Sequence, residues 1–93
     1  MKYEEFENVW DAIEKDPIVA VNLKARSSVM MAIEQTIKSW NLSQVTAAKR
    51  LGLTQPRLND LLRGRINKFS LDALMTIAAK AGLSVEVKIE KAA

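Results

Sequence analysis

A chain of 93 residues, 48% hydrophobic and 27% charged, makes one small soluble domain, which at this size buries only ~60–65% of its unfolded surface and gains from a partner subunit. It contains neither cysteine nor histidine, which removes disulfides, thiolate nucleophiles, imidazole bases and the usual zinc ligand sets, so no metal or cofactor is expected and catalysis is not. No apolar run approaches the ~20 residues that cross a bilayer, and the acidic N-terminus lacks a signal-peptide pattern; a cytoplasmic protein is expected.

The net charge of +3 is unevenly spread. Residues 1–16 sum to −4, residues 17–42 to +2, residues 43–69 to +5 and residues 70–93 to zero. Basic charge therefore gathers in the middle of the chain, the electrostatic footprint of a polyanion-binding face. A solvated basic run without a partner is the plainer alternative.

In chain order, residues 1–16 place Tyr3, Phe6, Val9, Trp10 and Ile13 at helical spacing with acids on the other side, predicting an acidic amphipathic N-terminal helix. Phe6 and Trp10 either dock on the domain or are offered to another protein. Asp16 and Pro17 then supply an N-cap and a first-turn proline. Ile18, Val21, Ala25, Val29, Ile33, Ile37 and Trp40 keep a three-or-four spacing that predicts a helix over 17–40, bent or restarted at Arg26-Ser27-Ser28. Asn41 is its stop.

The stretch Ser43–Gly64 reads as two short helices joined by a tight turn. Ser43 caps a helix whose Val45, Ala48 and Leu51 share a face, and Gly52 ends it. Thr54 caps the next, with Leu53 and Leu58 as a hydrophobic staple and Pro56 in the tolerant first turn. Leu58, Leu61 and Leu62 should face inward, leaving Gln55, Arg57, Asn59, Asp60 and Arg63 outward before Gly64. Beyond a basic loop at 65–68, Ser70 caps a helix starting at Leu71 and ending at Gly82. The period then changes: Val85, Val87 and Ile89 alternate with charged residues, predicting a C-terminal strand over 84–90. A lone strand needs a partner from outside the chain, most economically the same strand of a second copy in a homodimer. Three segments result: residues 1–16, the domain 17–83 and the strand and tail 84–93.

Gln44, a small Ala48 four residues on, Gly52 at the turn, then Leu58 and Leu61 resemble the helix-turn-helix of the lambda-repressor-like (XRE) transcription regulators. Over about three-quarters of the chain, including Leu53-Thr54-Gln55-Pro56-Arg57, Leu62-Arg63-Gly64-Arg65 and Phe69-Ser70-Leu71-Asp72, the sequence is similar to small XRE-family antitoxins of the HigA type. That resemblance implies a mainly α, five-helix DNA-binding domain, a homodimer on an inverted-repeat operator, repression of its own promoter and a RelE-like ribonuclease toxin as partner. A solitary XRE-type regulator without a toxin, or a protein-interaction module using the N-terminal helix and the C-terminal strand, are the alternatives.

With its N-terminal end in the major groove, the second motif helix offers Gln55 to adenine, Arg57 or Arg63 to guanine or phosphate, and Pro56 to a thymine methyl. Asn59 and Asp60 are further base-edge candidates, Asp60 being equally suited to an ion pair with Arg57 or Arg63. Ser43, Gln44 and Thr54 lie at helix N-termini, where phosphates are held. Arg63, Arg65 and Lys68 are phosphate candidates as well; Lys49 and Arg50 are phosphate contacts or solvated charges.

Overall fold

The computed structural model describes residues 16–92. The expected N-terminal helix, with Phe6 and Trp10, lies outside the described residues. Asp16 opens the first helix, its carboxylate accepting from the backbone N–H of Ile18 and Val19, while Pro17 sits where an N–H has no helical acceptor. This helix, α1, runs Pro17–Trp40 and ends on Asn41, whose φ of 56° is the left-handed stop that asparagine tolerates.

The expected bend at Arg26-Ser27-Ser28 does not occur: α1 is continuous. The reason lies in which side faces inward. Leu23, Met30, Ile33 and Ile37 are buried, a three-and-four stripe in which position 26 is the missing member. Ile18 and Val21, expected on the inner face, are instead 81% and 71% exposed. Arg26 fits the inner stripe because its Nη1 donates to the carbonyls of Ile66 and Phe69, at 3.1 and 3.2 Å. A polar residue with partners waiting across the domain gives the helix no cause to break.

Two eight-residue helices follow, α2 at Gln44–Leu51 and α3 at Gln55–Leu62. Ser43 and Thr54 cap them, accepting from the N–H of Thr46 and Arg57 respectively. Between them Gly52 takes a φ of +67°, and the Leu53 N–H returns to the Ala48 carbonyl at 2.9 Å, the closing bond of a left-handed helix stop. A Cβ at Gly52 would also lie 3.1 Å from the Lys80 ammonium. A 3-10 turn at Ile66–Lys68 leads into α4 at Leu71–Lys80, capped by the Ser70 hydroxyl.

The described residues thus form four α-helices and a 3-10 turn, where five helices are expected, because α1 is undivided and the loop after α3 closes as a single turn. All pack on one core built from Leu23, Met30, Ile33 and Ile37 of α1, Ala47, Ala48 and Leu51 of α2, Leu58 and Leu61 of α3, and Ile66, Phe69, Leu74, Ile77, Ala78 and Ala81 beyond. Val45, expected inside, is 46% exposed and Ala47 takes its place: α2 meets its neighbours through two adjacent alanines, which lets the helices approach closely. Leu62 lies only partly buried against the core.

Residues 84–92 carry no regular secondary structure, and there is no β-strand among the described residues. The expected strand is therefore absent from the single chain. A strand's N–H and C=O groups need a neighbouring strand, and no described segment of this chain supplies one. Val87 and Ile89 stand 67% and 86% exposed.

Arg26→Ala removes the donor to two carbonyls and should destabilise the fold by about 2 kcal/mol, the cost of losing a charge-assisted bond and stranding its acceptors; equilibrium urea unfolding measures this. Glu34 on α1 gives a pH signature. Burial raises its carboxyl above the ordinary carboxylate range, with Lys38 partly offsetting the shift. An acid whose native pKa is raised favours folding when protonated, so its ionised form opposes folding at neutral pH, and that opposition fades as pH falls through the native pKa. Glu34→Gln should therefore stabilise the protein at pH 7 and leave it unchanged near pH 3, as followed by melting temperature across that range.

Candidate nucleic-acid interface

The polar face of α3 follows from its packing. Leu58 and Leu61 are fully buried on one face of α3, so the residues on its other sides are left toward solvent. Gln55 and Pro56, at the N-terminal end, are exposed, and Asn59 and Asp60 are half-buried further along. Arg63, at the C-cap, is exposed. Gln44 is exposed at the start of α2, directly after the Ser43 cap. The helix N-termini of α2 and α3 therefore lie on the same motif as the base-edge candidates, the layout in which a phosphate backbone is gripped beside a groove that is read.

Several of the sequence-chosen side chains are already engaged within the protein. The Ser43 hydroxyl accepts from the Thr46 N–H and donates to Thr46 Oγ1; the Thr54 hydroxyl accepts from the Arg57 N–H. Arg57 Nη1 donates to the Lys68 carbonyl at 2.7 Å, and its guanidinium lies 3.9 Å above the centre of the Phe69 ring. Asp60 forms an ion pair, but with Arg65 at 2.7 Å rather than with Arg57 or Arg63. Helical spacing could not show this pair, because Arg65 lies past the end of α3 where the chain has turned at Gly64, which has a φ of +70°. Lys49, Lys68 and Asn67 are exposed.

Two functional contributions were not visible in the spacing. Arg26, which reads as an interruption in α1, ties that helix to the turn that follows α3; its place on the inner stripe is the signal that could have found it. Arg50 of α2 stacks 4.2 Å from the centre of the Trp40 ring, bracing the motif on the end of α1. Nothing in local spacing announces that contact, since the two residues meet across the loop 41–43. A shallow groove between α1 and the motif is lined by Ile37, Lys38, Leu42, Gln44, Ala47, Leu58 and Leu62 among others. Among the described residues no group of acids could hold a metal ion, and no helix is long and apolar enough to cross a membrane.

The comparisons with known proteins agree with this geometry. A family model described as a helix-turn-helix domain matches residues 16–90. Among solved structures, the chain is similar to one assigned only provisionally as an XRE family transcriptional regulator, with 32% identity, 78% of this chain and 82% of that chain covered, and a TM-score of 0.72. No curated protein matches.

The partly buried Asp60–Arg65 pair makes a stability prediction. Asp60→Ala leaves Arg65 without its acceptor and should cost about 1 kcal/mol, between the worth of an exposed pair and that of a buried one, with the loss measured by urea unfolding at low and high salt.

Proposed function

The chain belongs to the helix-turn-helix domain family, a family of non-enzymatic DNA-binding domains, and from that premise we propose that it is a sequence-specific transcriptional regulator of the XRE type that represses its own promoter as the antitoxin of a toxin–antitoxin pair. The observation that carries the DNA-reading part is the α3 surface: Leu58 and Leu61 hold the helix from below while Gln55 and Pro56 stand exposed at its N-terminal end. A glutamine there has the donor–acceptor pair that matches the N6 and N7 edge of adenine, and the proline presents an apolar surface to a thymine methyl. Asn59 is the next base-edge candidate on the helix. Gln44, the first turns of α2 and α3, Arg63 and Lys68 supply phosphate contacts, which fix register without reading sequence.

The regulator acts as a homodimer in which residues 84–90 of two copies pair antiparallel through the Val85, Val87 and Ile89 segments. Support comes from the strict alternation of these residues, from their exposure in the single chain and from the lack of any other strand among the described residues. Two-fold symmetry in the protein then dictates an inverted repeat in the DNA, its half-sites about one helical turn apart. The antitoxin part rests on the resemblance to HigA-type proteins. Its protein partner, a RelE-like ribonuclease, would engage the acidic residues 1–16 through Phe6 and Trp10. A solitary regulator without that partner is the second reading, and the cytoplasm is the compartment for either.

In vitro selection from random duplex DNA at near-physiological salt should yield an inverted repeat. On that sequence Gln55→Ala should cost ~1–3 kcal/mol with little effect on random DNA, while Lys68→Ala weakens both alike. A folded, dimeric protein that enriches no sequence would refute the reading. Equal losses on both DNAs would remove Gln55 from it.

A further inference from the structure

The turn Ile66–Lys68 is gripped from three sides by arginines. From α1, Arg26 Nη1 donates to the carbonyls of Ile66 and Phe69. From α3, Arg57 Nη1 donates to the Lys68 carbonyl at 2.7 Å and lays its guanidinium on the Phe69 ring at 3.9 Å. From the turn's own start, Arg65 reaches back to Asp60 of α3 at 2.7 Å. Phe69, which these contacts surround, is 1% exposed and belongs to the core, so the surface that Arg57 stacks on is itself immobile. Outward from this knot the chain presents the exposed side chains of Asn67 and Lys68.

We infer that Arg57 is a positioning residue: it reads no base, and instead locks the Ile66–Lys68 turn against α3 so that Asn67 and Lys68 form a second, sequence-independent DNA contact at a fixed offset from the reading helix. The inference rests on the DNA-binding reading above. Three features favour it over base contact. Arg57 is half-buried as a residue, one of its guanidinium nitrogens is committed to a short hydrogen bond, and its planar face is committed to an aromatic ring. To reach guanine, Arg57 would have to give up both the short charge-assisted hydrogen bond and the ring. As a lock it keeps them, and it spares the turn the entropy of ordering when DNA arrives.

A planar fork is needed for this task and a point charge does not perform it, which selects the test variant. Arg57→Lys keeps the charge, so long-range attraction to DNA is preserved, but it cannot both stack on Phe69 and hold the carbonyl. In the DNA-free protein, the backbone amides of Lys68 and Phe69, bonded to the carbonyls of Arg65 and Ile66, should exchange with deuterium about five- to tenfold faster in Arg57→Lys, the factor expected from losing roughly one hydrogen bond. On DNA, Arg57→Lys should weaken binding to the selected site and to random duplex by the same factor, leave the base preferences unchanged, and add little further loss in the Arg57→Lys/Lys68→Ala double variant. Unchanged amide exchange overturns the inference whatever the DNA result. So does a loss confined to one base pair of the selected site, which makes Arg57 a base reader, or full additivity with Lys68→Ala. If the wild-type protein binds no duplex, the DNA-binding reading fails by itself, and the exchange measurement still decides whether Arg57 orders the turn.

Discussion

A helix of eight residues does not hold its shape alone in water, because the costly first turn is never repaid by enough later ones. Both α2 and α3 are of this length, so the surface proposed to read DNA exists only through what surrounds it. Leu58 and Leu61 supply the apolar footing. Thr54 fixes the start by satisfying the Arg57 N–H, and the stop at Gly52 sets the direction in which α3 leaves α2. The far end is held differently. There the chain reverses through Gly64 into the 3-10 turn, and hydrogen bonds from Arg26 and Arg57, added to the burial of Ile66 in the core, tie that turn to α1 and α3. Its two ends thus follow different rules: local capping at the start, long-range guanidinium–carbonyl bonds at the finish.

That division explains what the sequence disclosed. Caps are local, so Asp16, Ser43, Thr54 and Ser70 could each be placed from the residue itself and its neighbours, as could the stops at Asn41 and Gly52. The buried pair Leu58 and Leu61 is a matter of three-residue spacing and was equally legible. Contacts between elements were not. Arg26 looks like a flaw in an apolar stripe until the carbonyls of Ile66 and Phe69, forty and forty-three residues away, come to meet it. The choice between Val45 and Ala47 on α2 could not be made from hydrophobicity either, which favours the larger side chain; close approach of helices decides it for the smaller one.

The basic patch needs the same distinction. Counting residues 43–69 gives six cations against Asp60 alone, yet they are not six equivalent hands. Arg57 and Arg65 are bound to protein acceptors, and Arg50 lies on the Trp40 ring. Lys49, Arg63 and Lys68 stand exposed. All six contribute to the long-range field that draws a polyanion in, but only a side chain with donors to spare can release counterions by closing on a phosphate. The arginines fall mostly in the structural set and the lysines in the exposed one, which matches their chemistry: a planar guanidinium satisfies several fixed acceptors at once, whereas an ammonium is a mobile point charge.

The C-terminal residues show where single-chain physics ends. Alternation at Val85, Val87 and Ile89 is a statement about two faces, one apolar and one charged, and it has meaning only on a sheet. The described chain offers no sheet, and so the apolar face stays open to water. An exposed apolar strand segment is a liability unless something covers it. The proposed second copy would do so at the least cost in specificity, because the two segments are identical in length and pattern and antiparallel pairing about a two-fold axis satisfies both sets of N–H and C=O groups together. In the homodimer proposed above, order in the tail and symmetry in the assembly would arise in one step, and the spacing between the two copies of α3 would be set by residues outside the helix-turn-helix.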